Sequence, residues 1–460
     1  MYHETYQSPF SWRYGSGAMR RIFSERHKYE LWRKLWVALA RAQYHAGLVN
    51  KHELTDLLKH QTVIDIDRIL EMEKETDDNL FAAIKEYAEK AKIGGGKIHF
   101  GATSMDIVDN TQVIQIKEGL LLLRPKIGML LKAFANQIEK YADVPCIGFT
   151  HLQPADPTTV GYRLAFYAQS LLGDAEFLDQ TIGKMQGKGL KGAVGTSANY
   201  IQLLKSSKTA LRRLEVDVMK EVGLAPALIT SQTYDRKQDY LVLTALSNIA
   251  GSLAKFAADV RILQSPQFGE WNEPFAKKQV GSSAEPFKKN PHLSERICSL
   301  ARYVTHLPPL GLENAMHSYL EKTFDDSANR RSIIPEAFLA TDEIIDTSLR
   351  IVKGMSFNRS RIAQNLEQYA PFAASESILM KMVALGADSH EIHDLLKRIT
   401  LKSWDAITNG HPNPMKQLLY QDTIIAQFLH RKDLDDAFEV KQHIGDAPQR
   451  ARKLAKLLGE

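Results

Sequence analysis

Three polar, glycine-containing stretches hold the side chains best suited to chemistry: GGGKIHFGATS at 94–104, GFTHLQPADPTTVG at 148–161 and GSSAEPFKKNP at 281–291. The last sets two serines, two lysines, an asparagine, a glutamate and two prolines side by side, which is the grammar of neither helix nor strand. Each stretch lies at the edge of a long helical pattern. Polar residues at helix ends, drawn from distant parts of a chain, are what a site between helices uses. Plainer readings stand beside this one. GGGK can serve as a flexible connection, and it lacks the GxxxxGK[ST] spacing of a phosphate loop. A lone His151 is more often a capped or core histidine than a catalyst. Ser282 and Ser283 suit an ordinary turn, and Lys288 and Lys289 suit solvent.

The elements around these stretches read as helices. Residues 25–47 are rich in helix formers and end on Gly47, a C-terminal stop. A second pattern covers 118–141, with Pro125 inside it predicting a kink or a break. The segment 157–183 is expected to open with Asp156 as cap and Pro157 as first helical residue. In 235–265, Val242, Leu246, Ile249, Leu253, Phe256, Val260 and Leu263 form a heptad seam that Pro266 stops. At ~1.5 Å per residue such a helix reaches roughly 45 Å and needs partners along its length. A bundle of long helices, completed by other subunits, meets that need. A further long helix is expected over about 329–352, and QRARKLAKLL at 449–458 reads as a terminal helix.

Composition narrows the class. A chain of 460 residues predicts two or three domains, and 44% apolar with 25% charged residues is the balance of a soluble globular protein. The net charge of +5 is small and interspersed, which argues against nucleic acid and for an anionic small-molecule substrate. Cys146 and Cys298 form no framework and no zinc spacing, so no metal is expected. The amino terminus lacks a signal-peptide core, and no apolar run approaches the ~18 residues of a membrane span. The expectation is a cytoplasmic protein with no membrane partner.

Taken together, the motifs are specific. GSSAEPFKKNP resembles the signature loop GSSxMPxKxNP of the fumarase/aspartase superfamily. HLSERICSLAR at 292–302 resembles adenylosuccinate lyases within it, as do GATS at 101–104, GFTHLQPA at 148–155, SQTYDRK at 231–237 and EKTFDDSANRRSIIPEAFLA at 321–340. WRYGS at 12–16 resembles a substrate-contacting Arg-Tyr pair. The matches are collinear over nearly the whole chain. The resemblance implies an all-α fold of three helical domains (1–103, 104–356 and 357–460), a central long-helix bundle, and a homotetramer whose active sites are shared between subunits.

It also implies a β-elimination that releases fumarate from adenylosuccinate, giving AMP, and from the succinyl-carboxamide ribotide of purine synthesis, with no cofactor. The carbon acid is very weak, so the reaction needs a base, an acid and preorganised donors for the developing charge. By resemblance Ser282 is the base and His151 the acid. Thr103, Ser104, Thr150 and Gln232 match positions that hold the succinyl carboxylates or orient the acid. Lys288 and Asn290, with backbone N–H groups of the loop, would depress the serine pKa and bind carboxylate. Arg13, Tyr14, Arg296, Ser327 and Arg331 match positions that hold the nucleotide. The loop reads as a lid.

The chain departs from the pattern at three places. Glu285 stands where methionine is usual. Asp77, Asp78 and Asn79 replace an Arg-His-Asp run. Lys322 replaces a frequent arginine, keeping the charge without the bidentate fork. These departures motivate a second expectation, a lyase acting on another N-succinyl compound. A third is a silent homologue kept as a scaffold or binding protein.

Overall fold

The structure, a computed structural model, describes residues 4–276, 279–285 and 287–459. Pro286 of the signature loop, expected to restrict its backbone, lies outside them. The chain is all-α. Among the described residues, strands are limited to two two-stranded pairs, one a hairpin of Pro145–Thr150 with Gln153–Thr159 and the other Trp271–Asn272 with Ser356–Phe357.

The chain forms two compact units, each assembled from three stretches. The first comprises Met1–Lys126, Asp174–Gly251 and Ser299–Ile344; the second comprises Ile127–Gly173, Ser252–Cys298 and Ile345–Glu460. Every boundary falls inside a helix. Ser104–Tyr141, Val160–Lys184, Lys237–Gln264, His292–Thr305 and Ser327–Gly354 therefore each contribute to both units.

In the first unit, Glu25–His45 starts at a Ser24 side chain that accepts from the His27 N–H. It buries Tyr29, Trp32 and Trp36, and Gly47 follows it at φ +73°. Arg33 on this helix pairs with buried Glu86 and lies 3.5 Å from the centroid of the Tyr87 ring. In the second unit, the aromatic rings of Phe134, Tyr167, Phe256 and Trp271 meet edge to face at 5.2 to 6.4 Å. A separate apolar cluster, with Ile378, Met382, Leu396 and Met415 at its centre, closes the carboxyl-terminal helices. Cys146 and Cys298 are free and buried, and burial pushes the Cys146 thiol up to about 12.

The heptad seam is buried at all seven positions of Lys237–Gln264. Ser327–Gly354 and the terminal helix Ala447–Gly459 occupy the expected stretches. Three expectations need correction. The helix expected from 118 begins at Ser104 and runs through Pro125 to Tyr141 without a break. An interior proline costs about 3 kcal/mol. The burial of Leu123, Ile127 and Leu130 around it, at about 1.5–3 kcal/mol each, outweighs that. Pro157 does not start a helix. Residues 153–159 pair with the preceding strand, and the helix begins at Val160, with the Thr159 hydroxyl accepting from the Tyr162 N–H. Finally, one helix, Lys237–Gln264, is long and apolar enough by length and composition to cross a membrane. Half of its apolar window is buried inside the protein, and all seven seam positions are buried, as in a bundle core helix.

Candidate active site

The first unit encloses a cavity of about 640 Å³. Thr103, Ser104, Gln232, Ser327 and Arg331, five of the residues singled out by sequence, line it together. Local folding explains their convergence. Thr103 and Ser104 open the Ser104–Tyr141 helix, and the Thr103 N–H donates to Asp106 Oδ2 at 3.1 Å. Ser327 opens Ser327–Gly354, so Thr103, Ser104 and Ser327 all sit at the electropositive end of a long helix. The Gln232 N–H is tied to the Glu321 carbonyl at 3.2 Å.

Two buried polar clusters hold these segments. Arg236 donates to Asp109 and, through Nε, to Asp326 at 2.6 Å; Arg330 donates to Asp239 at 2.8 Å and to the Tyr234 hydroxyl at 2.6 Å. Burial works against the charge of Arg236, but Asp109, Tyr234, Asp239 and Asp326 outweigh it and raise the guanidinium above its ordinary value. The second cluster centres on Asp106, which pairs with buried Lys188 and accepts from the Tyr200 hydroxyl at 3.1 Å and the Gly192 N–H at 3.2 Å. Sequence reading missed both clusters. Their signal was MDIVDN at 105–110, whose Asp106, Asp109 and Asn110 repeat at three and four residues.

Two of the three departures from the family pattern face the same cavity. Asp77, Asp78, Asn79 and Lys322 all line it. Asp77 takes the left-handed end of one helix at φ +52°, and Asp78 Oδ1 caps the next by accepting from the Phe81 N–H at 2.9 Å. Burial lowers the Lys322 ammonium below its ordinary value, with Asp109 and Asp326 opposing the shift. Its Nζ lies 4.3 Å from the centroid of the Phe324 ring.

The remaining candidates do not line this cavity. Arg13 and Tyr14 lie on a strap fixed to the first unit's last stretch, where the Ser16 N–H donates to Asp342 Oδ2 at 2.7 Å. Gly15 sits there at φ +80°, and a Cβ would meet the Leu339 carbonyl oxygen at 3.0 Å.

The second unit holds the others. Thr150 pairs with Gln153, so His151 and Leu152 form a two-residue hairpin tip with φ +54° and +62°. Left-handed backbone at a bulky leucine and a histidine costs energy, and the hairpin fixes the histidine in an exposed position. In the signature loop, Ser282 Oγ accepts from the Ala284 N–H at 3.3 Å and the Glu285 N–H at 3.0 Å. Asn290 Nδ2 closes the loop onto the Gly281 carbonyl at 3.0 Å. Lys288 reaches Glu285 at 3.2 Å, so the unusual glutamate is exposed and holds the lysine. Two side chains anchor the loop's far end. Gln264 donates to the Lys289 carbonyl, and buried Glu273 caps the next helix by accepting from the Leu293 and Ser294 N–H groups, each at 3.0 Å. Arg296 lies in that helix, half-buried.

A sequence model of the family described as lyase matches residues 16–305, and one described as adenylosuccinate lyase C-terminus matches 371–454. An adenylosuccinate lyase of Schizosaccharomyces pombe is 33% identical over 97% of this chain and 93% of its own length. The chain belongs to the adenylosuccinate lyase family. Another member, from Schistosoma mansoni, is 36% identical over 86% of this chain and 83% of its own. The fold of the family extends further. A crystal structure of fumarate lyase from Mesorhizobium sp. BNC1 superposes with a TM-score of 0.84 over 98% of this chain and 99% of that one, at 23% identity.

Proposed function

We propose that this chain eliminates fumarate from adenylosuccinate, giving AMP, and from the succinyl-carboxamide ribotide, with Ser282 as base and His151 as acid. The observation that carries the chemistry is at Ser282, whose oxygen receives two backbone N–H groups. Those donors stabilise an alkoxide, which a serine needs to take a proton from carbon. Ser282 removes the proton from the succinyl carbon next to a carboxylate. The electron pair moves into that carboxylate and then forms the double bond of fumarate as the carbon–nitrogen bond breaks. His151 gives its proton to the departing nitrogen.

In this reading Thr103, Ser104, Thr150, Gln232, Lys288 and Asn290 hold the succinyl end. Arg13, Tyr14, Arg296, Ser327 and Arg331 hold the nucleotide. The reading includes a homotetramer that assembles each site from several subunits. Two facts support this: His151 and Ser282 do not line the cavity, and Leu121, Met129, Phe166 and Leu241 stand exposed on the long helices. It includes the functional segments 1–103, 104–356 and 357–460, for which the start at Ser104, the helix end at Gly354 and the family match over 371–454 speak. A cytoplasmic location fits the two free, buried cysteines.

The test is fumarate release by the purified protein from each substrate. Release from both supports the proposal. No release from either, with the oligomer intact, overturns it and favours another N-succinyl compound. Asp77, Asp78, Asn79 and Lys322 in the cavity wall are the observation that keeps that reading alive.

A further inference from the structure

The strap that carries Arg13 and Tyr14 also carries Trp12, to which the reading above gives no role. Its side chain is 46% exposed, so it adds little to the core. Among the described residues the Trp12 ring meets no other ring and one cation, the Arg13 guanidinium, whose carbon lies 5.6 Å from its centroid. The same carbon lies 5.9 Å from the centroid of the Tyr14 ring. No ion pair or hydrogen bond joins that guanidinium to a described residue, so the two rings are what hold it. The carboxylates that touch the strap are engaged elsewhere. Glu336 accepts from Ser8 Oγ at 3.0 Å and from the Tyr303 hydroxyl, while Glu343 and Asp342 accept from the Gly15 and Ser16 N–H groups. The turn itself is tight, with the Pro9 carbonyl accepting from the Arg13 N–H at 2.7 Å and the Tyr14 N–H at 3.2 Å. Tyr14 is braced by Phe10 at 5.9 Å between centroids, and Phe10 stacks on Tyr303 at 5.7 Å.

We propose that Trp12 is a positioning residue, whose ring holds the face of the Arg13 guanidinium and leaves its edge free for the phosphate of the ribotide. A guanidinium is planar. Its weakly hydrated face stacks on aromatic rings, while its five N–H donors lie along the edge in a fork that matches phosphate. An arginine paired with a carboxylate must give up that pair before it takes an anion. One held by rings keeps its charge and its donors uncommitted, and it has surrendered part of its rotamer freedom in advance. Trp12 and Tyr14 therefore prepare Arg13 for an anion without competing for it. The inference rests on the reading above, which gives Arg13 to the nucleotide, and adds the residue that orients it.

The experiment measures equilibrium binding of AMP and of adenosine to the purified oligomer, alongside kcat and KM for adenylosuccinate. Wild type, W12L, W12F, R13Q and W12L/R13Q are compared. W12L removes the aromatic face and should weaken AMP roughly two- to fivefold, the worth of one exposed cation–π contact. KM should rise by the same factor, with kcat and adenosine binding unchanged. W12F keeps a ring and should restore most of the loss. In the R13Q background W12L should cost nothing further, because Trp12 acts through Arg13. AMP binding indifferent to W12L, or a full further loss in W12L/R13Q, would overturn the proposal. A loss shared equally by adenosine would overturn it too, by making Trp12 a platform for the base. Binding is read without turnover, so the two readings fail separately. The expected W12L effect on AMP without fumarate release sinks only the lyase reading. Release with AMP binding indifferent to Trp12 sinks only the positioning role, and a wild type that binds no AMP sinks both.

Discussion

Arg236 donates from both terminal nitrogens to the Asp109 carboxylate, at 3.2 and 3.0 Å, with both side chains buried. This bidentate pair joins the segment after Gln232 to the first turns of the Ser104–Tyr141 helix, so it fixes two cavity walls at once. Removing the guanidinium leaves Asp109 and Asp326 buried against each other's charge. Arg236→Leu should cost about 3–5 kcal/mol of stability, read as a lower denaturant midpoint at unchanged slope. A variant as stable as the parent would show that the network is not what holds these walls.

Ser282→Ala should abolish fumarate release while leaving the oligomer and substrate binding largely intact. Normal turnover would remove Ser282 from its role. His151→Asn keeps a residue that accepts left-handed backbone and removes the acid. It should lower kcat by several orders of magnitude, and by less for substrates with a better leaving amine. An equal loss for all substrates would assign His151 to positioning.

Gly281 packs so closely against the loop that a Cβ would lie 2.0 Å from the Lys288 carbonyl oxygen. Gly281→Ala must therefore open the loop and break the Asn290 closure. The expected result is a loss of turnover with a melting temperature near that of the parent, since the loop is mostly exposed. Unchanged turnover would separate the loop's shape from catalysis.

The His27 ring bonds Glu118 at 2.6 Å, and that bond raises its pKa above the ordinary 6.5, against the opposing effect of burial. A raised folded value means the folded chain holds this proton more tightly than the unfolded one. The stability it adds is complete below about 6.5 and fades as pH climbs through the raised value. His27→Gln should flatten that part of the curve when denaturant midpoints are compared at pH 6 and 8.5. An unchanged slope would exclude the pair as its source.

The fold was legible wherever apolar residues repeat. The seam from Val242 to Leu263 announced its helix because burial on one face demands that spacing. The start at Ser104 was not legible, because the inward face of that first turn is polar. Asp106 and Asp109 are buried there against Lys188 and Arg236, residues about 80 to 130 positions away. Short-range patterns carry no trace of such partners. The hairpin at His151 was hidden for a related reason. Pro157 behind Asp156 reads as the opening of a helix, yet this strand pairs only with its neighbour, where prolines fit. The individual candidate residues stood out as motifs. Their distribution was not legible, because cavity, hairpin tip and loop come from five separate stretches of the two units.

Those stretches alternate along the chain, and every switch from one unit to the other falls within a helix. Neither unit is therefore a genetic cassette. No single gene fusion point would carry one away whole, and a crossover between two relatives at any of the five switches would join half-helices of different parentage. Such a chimera must match its register along the shared helix before either half can keep its seam. The chain is thus constrained to diverge residue by residue, which is how Asp77, Asp78 and Lys322 differ while the architecture around them stays.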